Sequence, residues 1–190
     1  MFKTLSISIA ATLVSFAAGM SAQTAEPADS FKVDYFSGAN SVVGGMPAPD
    51  GTVRITNVGT DTGVGDPSGD LFAVIYVFDS DQELTECCDC EITPDGLLTL
   101  SINNDLTSNP LTGHLLTRGV IKILGAAPSG KVAPGLRAWA THIQASGATT
   151  ETAFSDATLS ADEFNQLNQQ CSSVIKEGSG TGRCGCGAPE

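Results

Sequence analysis

The stretch GDLFAVIYVFDSDQELTECCDCEITPDGLLTLSIN, Gly69–Asn103, decides the fold. Its first part, Leu71–Phe78, is nearly all apolar and rich in Val, Ile, Tyr and Phe. It reads as a strand covered on both faces and central in its sheet. Asp79-Ser80-Asp81-Gln82 follows, and Asp and Ser side chains bond nearby backbone and favour tight reversals. The chain returns as Glu83–Cys88, turns again at Pro94-Asp95-Gly96, and continues as a strand through Leu97, Leu98, Leu100 and Ile102. The returning strand carries Cys87, Cys88 and Cys90. The other three cysteines, Cys171, Cys184 and Cys186, lie close to the C-terminus.

Working outward, Phe31–Phe36 alternates as a first strand, and Gly and Pro punctuate a loop over 44–51. Thr52–Val58 is a period-two strand with Val53, Ile55 and Asn57 on one face. Downstream, 103–113 is a polar loop, Val120–Leu124 a strand, and 128–135 a Gly/Pro loop. Leu136–Gln144 puts Trp139, Thr141 and Ile143 on one side and Ala138, Ala140 and His142 on the other. Thr149–Ala157 is the last expected strand. The period then changes. Ser160-Ala161-Asp162-Glu163 is a capping box, and Phe164, Leu167, Cys171, Val174 and Ile175 follow at helical spacing until Gly178. The expectation is a mainly β fold: an antiparallel Ig-like β-sandwich of about seven strands with a C-terminal helix and a disulfide-linked tail.

Residues 1–22 have the form of a signal peptide, with Lys3, an apolar run over Leu5–Ala18 and a small-residue end at Ala22. The expected organisation is signal peptide 1–22, flexible leader 23–30, sandwich 31–158, and helix with Cys-rich tail 159–190 on the same domain. No later stretch approaches the ~20 apolar residues of a membrane helix. Without the leader, eight Lys and Arg face 21 Asp and Glu, a net charge of −13. Such a field repels phosphate backbones and anionic lipid, so neither nucleic acid nor a membrane surface is an expected partner.

Six cysteines in an exported chain argue for disulfides. Adjacent Cys87 and Cys88 project to opposite faces of a strand, so each is expected to reach a different partner in the C-terminal cluster. A zinc or copper(I) site is the sharper alternative for C-C-x-C with C-x-C, but the C-x₂-C pairs of zinc fingers are missing. A thiol-redox role lacks its C-x-x-C motif. Asp61, Asp66 and Asp70 are weak calcium candidates, because the chain does not order them as D-x-D-x-D-G. His114 and His142 are the only histidines, and no G-x-S-x-G accompanies them. Asp79, Asp81 and Glu83 offer a glycosidase-like acid and base, although carboxylates in a turn of an acidic chain are ordinarily just solvated. Trp139, Tyr35 and Tyr76 offer sugar-stacking faces, but core packing is the commoner use of such residues. No catalytic residue, resident metal or cofactor is expected.

IYVFD at 75–79, CCxC at 87–90, ITPDGLLTLSINNDLTSN at 92–109, LRAWATH at 136–142 and the terminal C-x-C together resemble a family of uncharacterised secreted bacterial proteins. The resemblance implies export and a stable extracellular fold, and it brings no activity or cofactor. The expected function is that of an exported, non-catalytic interaction, adhesion or structural protein with a cell-surface or matrix partner. A carbohydrate- or calcium-binding module is the alternative, and a secreted hydrolase the second. N-terminal sequencing of protein recovered from the periplasm or medium should begin at Gln23, within about three residues. Soluble protein that keeps Met1 would overturn the export reading.

Overall fold

A computed structural model of the chain describes residues 28–59, 68–107, 114–174 and 186. The expected signal peptide, residues 23–27 of the leader, Asp61, Asp66, Cys184 and all of the tail except Cys186 lie outside the described residues. The elements in chain order are β1 (Phe31–Ser37), β2 (Val42–Val43), β3 (Met46–Pro47), β4 (Thr52–Asn57), β5 (Leu71–Asp79) and β6 (Leu84–Ile92). They are followed by β7 (Leu97–Ser101), β8 (Arg118–Ala126), β9 (Leu136–Ile143), β10 (Thr149–Ala153), β11 (Ser155–Asp156) and α1 (Ala161–Val174). One sheet has the order β11-β1-β8-β5-β6 and the other β10-β9-β4-β7, with β2 and β3 forming a separate hairpin. Every pairing is antiparallel. The fold is sandwich-like and mainly β, with one C-terminal helix.

β5 lies between β8 and β6, and both of its faces are covered. Leu71, Ala73, Ile75 and Val77 enter the core between the sheets, with Val53 and Ile55 of β4, Leu100 of β7 and Ala140 of β9. Tyr76 faces the other way, into a second cluster with Phe31, Cys87, Leu124, Leu159 and Leu167; Val74 and Phe78 pack against it. Leu167 belongs to α1, so the helix covers part of the outer face of the five-stranded sheet. Ser160 caps it, its hydroxyl accepting from Glu163 N at 3.1 Å.

Several boundaries differ from the expectation, each for a local reason. β6 runs on to Ile92, because exposed Asp89 and Glu91 alternate with buried Cys88, Cys90 and Ile92. Ile102 leaves β7: the Asp105 carboxylate accepts Ser101 N at 2.7 Å, and Ile102–Leu106 winds as a π-helical turn. The expected loop at 44–51 begins inside a small hairpin, with Gly44 and Gly45 at φ 61° and 83° between paired Val43 and Met46. Two successive positive φ values are what a tight two-residue hairpin turn demands. The run 149–157 is split at buried Phe154, so β10 joins one sheet and β11 the other. Among the described residues eleven strands, several of them only two residues long, replace the expected seven or so. The end of the leader is anchored as well. Asp29 accepts from Lys32 Nζ and Arg137 Nη1, and Lys32 Nζ also reaches Asp156 at 2.6 Å.

Leu167 is 1 % exposed and belongs to the cluster that α1 forms with the sheet. Leu167→Ala should cost about 2–5 kcal/mol in urea unfolding, whereas a loss below about 0.5 kcal/mol would mean that α1 does not hold the face.

Candidate functional site

Strand β6 brings together most of the unusual chemistry. Its residues alternate between the two cores: Cys87 belongs to the outer cluster under α1, while Cys88 and Cys90 belong to the core between the sheets. Cys87 is bonded to Cys171 of α1, and Cys90 to Cys186 of the tail. Cys88 is disulfide-bonded too, and Cys184 lies outside the described residues. Among the described residues no cysteine is free, and no group of three or more His, Cys, Asp or Glu is placed to hold a metal ion.

Glu86 shares the inward phase of Cys88 and Cys90 and is 1 % exposed. Both of its carboxyl oxygens are buried without a hydrogen-bond partner. Burial pushes its carboxyl up to about 8, with the charge of Asp105 adding to the effect. A carboxyl in that position is held neutral at pH 7, because the ion would lie in a poorly polarisable interior. The sequence reading passed over Glu86. Its signal was present: it is a glutamate two and four residues before two cysteines on the covered face of one strand.

The nearest approach to a catalytic constellation lies at the opposite edge of the sandwich. His142 of β9, 1 % exposed, has Nε2 2.5 Å from Thr152 Oγ1 of β10. The Thr152 hydroxyl donates to Asp34 Oδ2 of β1 at 3.1 Å, so its oxygen accepts from His142 Nε2–H. Asp34 is also 3.7 Å from the same Nε2. A hydrolytic triad needs the carboxylate behind Nδ1, so that Nε2 is free to take a proton from the nucleophile. Here hydroxyl and carboxylate crowd one nitrogen, while Nδ1 is buried without a partner. The Tyr35 ring stacks on the imidazole at 4.2 Å between centroids and covers it. The cluster bridges the two sheets and is built as a closure of the sandwich edge.

The remaining candidates separate. Asp79 Oδ1 accepts the backbone amides of Asp81 and Glu83, both at 2.9 Å, which commits that carboxylate to its turn. Trp139 is half-buried on β9, on the face away from the core; Tyr76 lies under α1, and Tyr35 on His142. The three rings therefore form no common platform. His114 is exposed in the segment before β8. Asp70 precedes β5, its amide donating to Ser68 Oγ at 3.2 Å, with Asp61 and Asp66 outside the described residues.

Two cavities of about 230 Å³ flank α1 on the five-stranded sheet. The first is amide-rich, walled by Gln82, Gln166 and Gln170, and contains Lys122, which sits over the Phe78 ring and is paired with Glu163. The second, between α1 and the β8–β9 turn, is floored by Phe72, Val74 and Tyr76, with Phe164, Asn168 and Asp89 around it. Of its residues the sequence had singled out Tyr76 and Phe164, but local pattern did not place them beside Phe72 and Asp89.

Comparison of the chain with protein-family models, with curated proteins and with solved structures gave no significant match. The site is therefore read from its own chemistry.

Glu86 gives a pH signature. Its raised folded value means that the native state holds a proton the unfolded chain releases above about 4.5, so stability falls as pH rises from there and levels off above about 8. Urea unfolding of Glu86→Gln should match the parent below about pH 4.5 and exceed it by a few kcal/mol above about pH 8. Parallel curves would show that Glu86 is not held neutral. Asp29 acts in the opposite sense. Burial works against its ionisation, but hydrogen bonds from Lys32 and Arg137 prevail and hold its carboxyl below the usual value of 3.8. The stability it contributes is lost as pH falls through that lowered value.

Proposed function

We propose that the protein is an exported, disulfide-clasped, non-catalytic binding or interaction protein of the cell envelope or exterior. The observation that carries this reading is the pair of long-range disulfides from β6 to the C-terminal segment, Cys87–Cys171 and Cys90–Cys186. They span 84 and 96 residues, and in the chain-entropy model each would contribute about 4.5 kcal/mol by restricting the unfolded chain. Bonds of that kind form and persist in oxidising compartments. The signal-peptide form of residues 1–22 and the resemblance to secreted bacterial proteins point the same way. Support for a non-catalytic role comes from His142, whose Nε2 is occupied by a hydroxyl that is itself committed to Asp34, with Tyr35 closing the ring from outside.

Thiol trapping of the full chain in an exporting bacterial host should find all six cysteines blocked in the exported fraction and open in the cytoplasmic precursor. Adding reductant to the purified protein should lower its urea midpoint by the equivalent of about 2–5 kcal/mol. Full stability of the reduced protein, or free thiols in the exported form, would overturn the reading.

A further inference from the structure

We propose that the cavity between α1 and the β8–β9 turn binds a small organic cation, an ammonium head carrying apolar substituents. The floor is the outward phase of β5. Phe72 is paired with Glu91 and Ala126, and Val74 with Asp89 and Leu124 on the neighbouring strands. α1 packs over the row of Tyr76 and Cys87 through Phe164, Leu167 and Cys171, while Phe72 and Val74 are left only half-buried. Pro128, Gly130 and Val132 of the turn form the opposite wall. Two half-buried aromatic rings, Phe72 and Phe164, thus line one cavity over the buried Tyr76, together with a single carboxylate, Asp89.

That combination selects charge sign and shape together. Aromatic faces are electron-rich and attract a cation, most of all one with a diffuse, weakly hydrated charge. A carboxylate at the rim adds attraction and rejects anions. Asp89 has no ion-pair partner among the described residues, whereas Asp29 has two and Asp156, Glu151 and Glu163 have one each. Lys122, the cation nearest in register, is held by Glu163 over Phe78, in the other cavity. Lys131 belongs to the same turn but is exposed and contributes nothing to the wall. Desolvation raises the Tyr76 phenol to about 12, and the charge of Asp89 pushes in the same direction. The chain as a whole carries a formal charge of −12, so its long-range field concentrates cations.

The proposal rests on the reading of the protein as a binding module and not on its export. The test uses purified, fully oxidised protein, so its failure leaves the thiol-trapping result untouched. Choline is the probe, titrated by NMR or calorimetry beside its neutral carbon isostere 3,3-dimethylbutan-1-ol. Choline should saturate below about 10 mM and the isostere should not. Asp89→Asn and Phe164→Leu should each weaken choline binding by about tenfold. Asp89 is exposed, so its variant should melt with the parent. Phosphatidylcholine vesicles form a second arm: vesicle binding with the same Asp89→Asn sensitivity, and none of free choline, would assign a lipid-borne head. Equal binding of the isostere, indifference to Asp89→Asn, or silence in both arms would overturn the proposal.

Discussion

The structure depends on the need of one strand to be dry on both sides. β5 has no polar phase before Asp79, so it can be stable only where two different layers cover it. The four-stranded sheet supplies one layer through Val53, Ile55 and Leu100. The other has to come from α1, a helix of 14 residues whose apolar stripe is narrow and whose exposed face is mostly Asn, Gln and Ser. Isolated helices of that length are marginal in water, and propensity alone would not hold this one in place. The Cys87–Cys171 bond resolves the difficulty. It joins the helix covalently to β6, the strand paired beside β5, and so holds the covering layer against the sheet that contains β5.

β6 meets a related problem at the sheet edge. Edge strands expose unpaired backbone groups and invite pairing with other chains. The Cys90–Cys186 bond brings Cys186 to this edge, where its Sγ lies 3.3 Å from Asp89 O. The alternation of cysteines thus follows from geometry. One face of β6 is tied to the helix through Cys87, and the other lies toward the core between the sheets, where Cys90 is bonded to Cys186. Glu86 is the exception within this phase. A neutral carboxyl there costs far less than an ion would, yet more than an apolar residue of similar size. Of the other charged group buried in the sandwich, Lys32, the opposite holds: two carboxylates, Asp29 and Asp156, compensate it directly.

Much of this could be read from residue order. The central position of Leu71–Phe78, the strands at 31–36, 52–58, 97–102, 120–124 and 136–144, and the helix after Ser160 rest on local periodicity, which burial of one face enforces. What local pattern could not supply was partnership across distance. Nothing near Ser101 announces that Asp105 will turn the chain into a π-helical turn, and nothing near Phe154 announces a change of sheet. The site was harder still. Asp79, Asp81 and Glu83 look like a reactive group on paper, but their turn consumes the one carboxylate that matters. Phe72, Asp89 and Phe164 belong to three different elements, and only the partial cover of α1 makes them neighbours.

That partial cover connects stability to the cavity. A helix wide enough to seal the whole outer face would give a firmer sandwich and no cavity. α1 is fixed at Cys171 and at Leu167, and both contacts lie over the Tyr76 row. Beyond them the sheet still presents Phe72 and Val74, and the β8–β9 turn folds back to wall them in. The disulfide therefore does two things with one bond. It sets where the helix lies, and by setting that it determines which part of an apolar face is left open to solvent, with an acid beside it. Shift the crosslink by one helical turn, about 5.4 Å, and Phe164 would no longer stand over that floor.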